Sequence, residues 1–171
     1  MGDGRLGAGD CERLRPTRLV QPVNAVTSGA YCAAGWVVAV RCWAGAGDRQ
    51  PEVVLFATLL ELVGVGSIAF HGPQVPGSRA AHDWPIPALV GVVAASPLMR
   101  RRRGRRAFPG WTRARGAWLV ATAATAGAAY AAGRTRSPTC HPESPIQLHG
   151  AWHLLSAAAF VQVGDILYQE G

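Results

Sequence analysis

Residues 146–167 read IQLHGAWHLLSAAAFVQVGDIL, an apolar run that is long enough for a helix to cross a bilayer. Near its start, His149 and His153 stand four residues apart. Such residues share one helix face with about 6 Å of rise between them, so both imidazoles can reach one metal ion. The zinc-protease motif HExxH has this spacing and a glutamate after its first histidine as general base, but that position here is Gly150. A third ligand and a base must therefore come from elsewhere in the chain.

The rest of the chain is also too apolar for an ordinary soluble protein of 171 residues, with 49% hydrophobic and 16% charged residues. The apolar residues form five runs, 25–44, 53–70, 84–99, 117–132 and 146–167. The first, second and fifth reach the length of a spanning helix, whereas the third and fourth are shorter and rich in alanine and glycine. We predict an all-α, polytopic transmembrane helix bundle of about five spans. The modest mean hydropathy leaves a soluble helical bundle as the alternative.

Arginine sets the predicted orientation. The chain has 17 arginines, no lysine and a net charge of +7. Eight of the arginines lie in the connector 100–115 between two apolar runs. Such a block is typical of a cytoplasmic loop, so we expect no nucleic-acid partner. Five spans then place the N-terminus outside and the C-terminus inside. We expect a multi-pass protein of a bacterial plasma membrane without a cleavable signal peptide, with residues 1–22 as an extracytoplasmic tail and 23–171 as a single bundle domain.

The second run supplies further candidate site residues at its predicted outer end. Ser67 and His71 share a helix face, and Asp83 follows at the start of the third run. In the predicted topology, all of these residues and the histidine pair lie near the same membrane face. Ionisable residues in membrane segments are costly and usually functional, which favours a metal site formed by three histidines. Taken one by one, the same residues are also explained as helix caps or interhelical hydrogen bonds.

Two of the four cysteines fall in predicted outer segments, Cys11 in the tail and Cys140 before the last span. An oxidising exterior permits a disulfide between them, which would tie the tail over the histidine-bearing end of the bundle. We favour this pairing over the alternative, in which Cys140 and His141 form a metal-binding pair.

At this point the sequence resembles the alkaline ceramidase-like membrane hydrolases, whose superfamily includes the progestin and adipoQ receptors. The pattern is a serine and a histidine four apart, an aspartate shortly after and HxxxH in the last span. Ser67, His71, Asp83, His149 and His153 match it in order. The segments GVGSIAFH (64–71) and HGAWHLLS (149–156) also look like those of the family, and Asn24 to Ser28 looks like its first-span signature.

The resemblance implies a Zn2+ ion held by His71, His149 and His153, and hydrolysis of an amide bond in a ceramide-like membrane lipid. Asp83 is then the candidate general base and Ser67 a hydrogen-bond donor to the water or the developing oxyanion. Cys11 and Cys140 fall where the family has a tail-to-loop disulfide. The family also binds calcium near the tail, but Gln21 stands where an acidic ligand is expected. Asp10 and Glu12 look like remnants of that site, so we do not expect calcium.

The span count departs from the resemblance. The relatives have seven spans and this chain offers about five, which leaves the lipid pocket open or requires a homo-oligomer. Two alternatives to an amidase therefore stay open. The first is a non-catalytic zinc-containing receptor or lipid sensor, which a closed site of four ligands would favour. The second is a lipid esterase or phospholipase that uses the same metal chemistry.

Overall fold

The computed structural model describes residues 5–44 and 51–168, so the two ends of the predicted tail and bundle domain fall outside them. These residues are helical apart from turns and one β-bridge, which confirms the predicted fold class. The helices are α1 (Pro22–Ala44), α2 (Pro51–His71), α3 (Ser78–Asp83), α4 (Pro85–Arg102), α5 (Arg113–Ala132) and α6 (Leu148–Tyr168). The five long helices correspond to the five predicted apolar runs. The short helix α3, of six residues, precedes the helix that contains the third run.

Three of the described helices are long and apolar enough to span a membrane: Pro22–Arg41 within α1, Pro51–His71 and Leu148–Tyr168. They are the three runs that the sequence picks out by length, and they indicate a membrane protein. By contrast, α4 contains Pro97 and ends in three arginines, and α5 begins with Arg113 and Arg115 and is otherwise rich in alanine and glycine. Whether α4 and α5 also cross the membrane stays a prediction.

The helix α1 packs against both α2 and α6, α5 packs against α6, and α4 packs mainly against α2. Aromatic and aliphatic side chains of these helices form the core, with Phe56 of α2 fully buried against Phe160 and Tyr168 of α6. Glycine allows the closest helix contacts. A Cβ atom at Gly66 would lie 2.0 Å from the carbonyl oxygen of Ala81, so only glycine lets α3 dock against α2 at this point.

The arginine-rich connector lies at the end of the bundle opposite to the histidines. Arg103 pairs with Glu52 at the start of α2, and the amide of Gly110 donates to the carbonyl of Ile166 near the end of α6. Arg41, at the same end of α1, pairs with Asp165 at 2.8 Å. His71, in contrast, ends α2, and His149 begins α6. The structure thus separates the charged connector from the histidines, as the sequence predicts, although it does not tell which face is outside.

The N-terminal tail folds over the histidine-bearing end and is held there covalently. Cys11 and Cys140 form a disulfide, which confirms the favoured pairing and takes Cys140 out of any metal pair with the exposed His141. The amide of Cys11 donates to the carbonyl of Gly133, so the tail also bonds to the backbone of the loop that precedes α6. Glu12 accepts hydrogen bonds from the amides of Val23 and Asn24, each at 2.8 Å, and so caps α1.

Candidate metal centre

Three buried histidines from two helices meet at the capped end of the bundle. His71 is the last residue of α2, and His149 and His153 lie one turn apart at the start of α6. One ring nitrogen of each lies within 4.8 Å of the other two, and the ring centroids are 4.7 to 5.3 Å apart. This spacing is close enough for one metal ion to be bound by all three. The structure therefore brings together the three predicted ligands, although His71 precedes His149 by 78 residues and His153 by 82 residues along the chain.

The unpartnered nitrogens of these rings fit a metal ion. His71 Nε2, His149 Nδ1 and His153 Nε2 are buried and have no hydrogen-bond partner among the described residues. A buried polar atom without a partner costs about 1 to 3 kcal/mol, and three of them meet at one place. A metal ion would satisfy all three lone pairs at once.

Gln21 determines which nitrogen of His71 carries the proton. The side-chain amide of Gln21 donates through Nε2 to the carbonyls of Gly7, at 3.1 Å, and Glu12, at 2.9 Å. These bonds turn its Oε1 toward His71 Nδ1, 2.7 Å away, and an amide oxygen only accepts. His71 therefore donates through Nδ1 and keeps the lone pair of Nε2 for a metal ion. Such an outer partner is the usual way in which proteins orient a ligating histidine.

Two hydroxyl groups of α1 determine which nitrogen of His153 carries the proton. Thr27 donates its hydroxyl hydrogen to the carbonyl of Val23 at 2.7 Å, and Ser28 donates to the carbonyl of Asn24 at 2.7 Å. Their oxygens remain as acceptors 3.1 and 3.3 Å from His153 Nδ1. Because both hydroxyls use their hydrogen on the backbone, His153 donates through Nδ1 and Nε2 stays unprotonated.

Among the described residues, Asp10 is the carboxylate that contacts the histidine rings, and no sequence pattern marks it as a residue of the metal site. Its oxygens lie 3.3 Å from His149 Nδ1 and 3.9 Å from His71 Nδ1. Burial raises the pKa of Asp10 to about 6, although the Arg134 guanidinium, 2.6 Å away, favours the charged form. The sequence contains only an indirect signal for the position of Asp10: it directly precedes Cys11, which pairs with Cys140 in the loop before α6.

Asp83 is placed away from the three rings. It ends α3 with 54% of its side chain exposed and lies 2.7 Å from His82 Nδ1. The His82 ring stacks on Phe70, and its centroid is 6.1 Å from that of His71, so Asp83 approaches the site only through an intervening histidine. The role of Asp83 as a base stays a prediction. Ser67 is buried one turn before His71 on α2, as its spacing predicts.

The groups near Glu12 do not provide the six to eight free oxygens that calcium takes. Both oxygens of Glu12 accept backbone amides, Asp10 is paired with Arg134, and Gln21 directs its oxygen to His71. A calcium ion would have to break these contacts. The tail acids instead cap α1 and lie against the histidines.

Comparison of the chain with protein-family models, with characterised proteins and with solved structures finds no match. The functional assignment therefore rests on the residues of this chain and on the resemblance of its motifs.

Proposed function

We propose that this protein is a zinc-dependent membrane hydrolase that cleaves an amide bond in a ceramide-like lipid. The observation that carries the proposal is the convergence of three buried, unpartnered imidazole nitrogens from His71, His149 and His153. Three protein ligands with one open position are the usual form of a catalytic zinc site, whereas structural sites are closed by four. A zinc ion bound there would polarise a carbonyl and lower the pKa of a water molecule toward 7.

The position of the histidines supports a lipid substrate. His71 ends one candidate span and His149 begins another, so the site lies at the end of the apolar segments. The polar linkage of a membrane lipid lies at the same depth, between the headgroup and the hydrocarbon region. Trp84, 75% exposed, stands near this end of the bundle, as is typical of an aromatic residue at a membrane interface.

Two carboxylates are candidates for the group that accepts a proton from the attacking water and returns it to the leaving amine. The resemblance assigns this role to Asp83, while Asp10 is the carboxylate in contact with the histidines. Ser67, on the face of α2 that carries His71, is the candidate donor to the developing oxyanion. Replacing each aspartate with asparagine separates the two: the base is the one whose loss abolishes turnover when zinc is saturating.

Zinc content tests the site directly. We expect about one zinc per chain in the purified protein, and a strong loss of zinc in His71→Ala and in His153→Ala. His141→Ala is the matched control, because His141 is an exposed histidine in the loop before α6. Full zinc content in both site variants would refute the metal centre.

Hydrolysis requires a separate assay in lipid nanodiscs. We expect release of a labelled fatty acid from a ceramide analogue, and loss of that release in His71→Ala. A matched ester and a phospholipid of the same acyl chain distinguish an amidase from the esterase and phospholipase alternatives. A zinc-loaded protein that cleaves none of the three lipids would refute the proposed hydrolase.

A second candidate is a non-catalytic zinc protein that acts as a receptor or lipid sensor. The contact of 3.3 Å between Asp10 and His149 favours it, because a small movement of the tail would make the carboxylate a fourth ligand. X-ray absorption of the zinc-loaded protein measures the ligand set. Four protein ligands together with no lipid turnover would support the receptor over the hydrolase.

A further inference from the structure

The N-terminal tail presents a buried charged pair to the metal centre. Asp10 has only 5% of its side chain exposed, and one oxygen lies both 2.6 Å from Arg134 Nη1 and 3.3 Å from His149 Nδ1. The other oxygen lies 3.9 Å from His71 Nδ1. We infer that Asp10, held by Arg134, compensates the charge of the bound metal ion from just outside the ligands, so that the N-terminal tail takes part in the site. This inference rests on the metal-binding half of the proposed function and not on hydrolysis.

The charge of a bound metal ion requires compensation at this site. Three neutral imidazoles leave the charge of a divalent cation uncompensated in an apolar bundle, and burying an unpaired charge is costly. A carboxylate beside the ligands offsets that charge through space, and Asp10 does so without a hydrogen bond to His149, whose Nδ1 stays free for the ion. His71 and His153 already have neutral partners in Gln21 and in the hydroxyls of α1, whereas the carboxylate lies against His149.

The backbone on both sides of Asp10 is fixed, which keeps the carboxylate at the site. Asp10 forms a β-bridge with Arg134, and the amide of Thr135 donates to the carbonyl of Gly9 at 3.1 Å. Cys11, the next residue, is bonded to Cys140. The Arg134 guanidinium also lies over the Tyr130 ring, 5.3 Å from its centroid, which fixes the other member of the pair.

Asp10→Asn is the direct test, because it keeps the size of the side chain and removes the charge. Loss of an interaction just outside the ligands typically costs about 10-fold to 100-fold in metal affinity. We expect zinc affinity, measured by competition with a chromophoric chelator, to fall by about that factor, and we expect Asp10→Glu to restore part of it. Glu143→Gln is the matched control, since Glu143 is an exposed acid that pairs with Arg13, and it should keep the affinity of the unmodified protein.

Cobalt provides a readout that a merely structural role would not change. Cobalt(II) reports the geometry of its ligands through its visible absorption spectrum, so that spectrum should shift in Asp10→Asn and not in Glu143→Gln. Wild-type zinc affinity together with an unchanged cobalt spectrum in a folded Asp10→Asn protein would overturn the inference.

If Asp10→Asn does not fold, as judged by loss of the Cys11–Cys140 disulfide on a non-reducing gel, Arg134→Gln tests the role of Asp10 instead. It leaves the carboxylate in place but releases it from its partner, so we expect a loss near the lower end of the same range. Arg136→Gln is the control, an exposed arginine of the same loop. Equal zinc affinity in the two arginine variants would overturn the inference. The two proposals fail separately, because an unmodified protein that binds zinc without lipid turnover refutes only the hydrolase.

Discussion

Replacement of Gln21 by methionine tests how the tail prepares His71 for a metal ion. Gln21 is fully buried, and its side chain donates to the carbonyls of Gly7 and Glu12 while it accepts from His71. Methionine has a similar length and shape but can form none of these bonds. The change therefore leaves two buried carbonyls and one imidazole N–H without their partners.

The expected magnitude follows from these three groups. An unsatisfied buried polar group costs about 1 to 3 kcal/mol, so we expect Gln21→Met to lower the free energy of unfolding by about 3 kcal/mol or more. For a chain of this length, that corresponds to a fall of about 6 to 12 °C in Tm. Zinc affinity should fall by about 10-fold to 100-fold, because His71 loses the acceptor that fixes its tautomer.

The assay compares thermal unfolding in detergent with zinc competition for two glutamine variants. Gln74→Met is the matched control, since Gln74 also donates to the tail, through one bond of 3.0 Å to the carbonyl of Leu6. Its loss should cost about 1 kcal/mol and leave zinc affinity unchanged. If Gln21→Met had the Tm and the zinc affinity of the control, the assignment of the His71 tautomer would be refuted.

Three further predictions concern the tail, a helix contact and the second ligating helix. Replacing Cys11 and Cys140 by serine should lower the free energy of unfolding by about 2 to 5 kcal/mol, measured by denaturant unfolding. The reduced wild-type protein is the comparison, and equal stability of the oxidised and reduced proteins would contradict the prediction. Gly66→Ala should destabilise by about 1 to 3 kcal/mol in thermal unfolding because its Cβ meets backbone at 2.0 Å, whereas Gly127→Ala, with open space, should be neutral or stabilising. Thr27→Val should weaken zinc binding less than Gln21→Met in the same competition assay, since Ser28 remains as an acceptor for His153; an equal loss would contradict the shared hydrogen bond.

The three histidines of the candidate metal centre were predictable because their signals are local. The spacing of His149 and His153 on one apolar run is visible within a single helix, and the parity of the spans places His71 at the same end. The three spanning candidates also followed from length and composition. The shorter runs were less informative, because proline and arginine in α4 and α5 weaken their apolar character without preventing a helix.

The carboxylate of the site was not predictable by the same route. Asp83 is close to His71 in sequence, but the turn after α2 and the short α3 direct it to solvent and to His82. Asp10 reaches the site through pairing between residues more than 120 positions apart, which no local pattern reveals. Gln21 was interpreted as a poor calcium ligand, and its contact with His71 could only be seen once the tail was placed.

The segment formed by the tail and α1 contributes most of the groups that orient the ligands, although it contributes no ligand itself. Gln21 orients His71, Thr27 and Ser28 orient His153, and Asp10 lies against His149. The contacts to α6 join residues 125 and 126 positions apart, so the outer partners of the site are complete only after the last helix has packed on the first. Long-range contacts of this kind form late, because the entropy of closing the chain must be overcome first. Metal binding should therefore follow the docking of α6, and a refolding experiment that times zinc uptake against the packing of α6 would check that order.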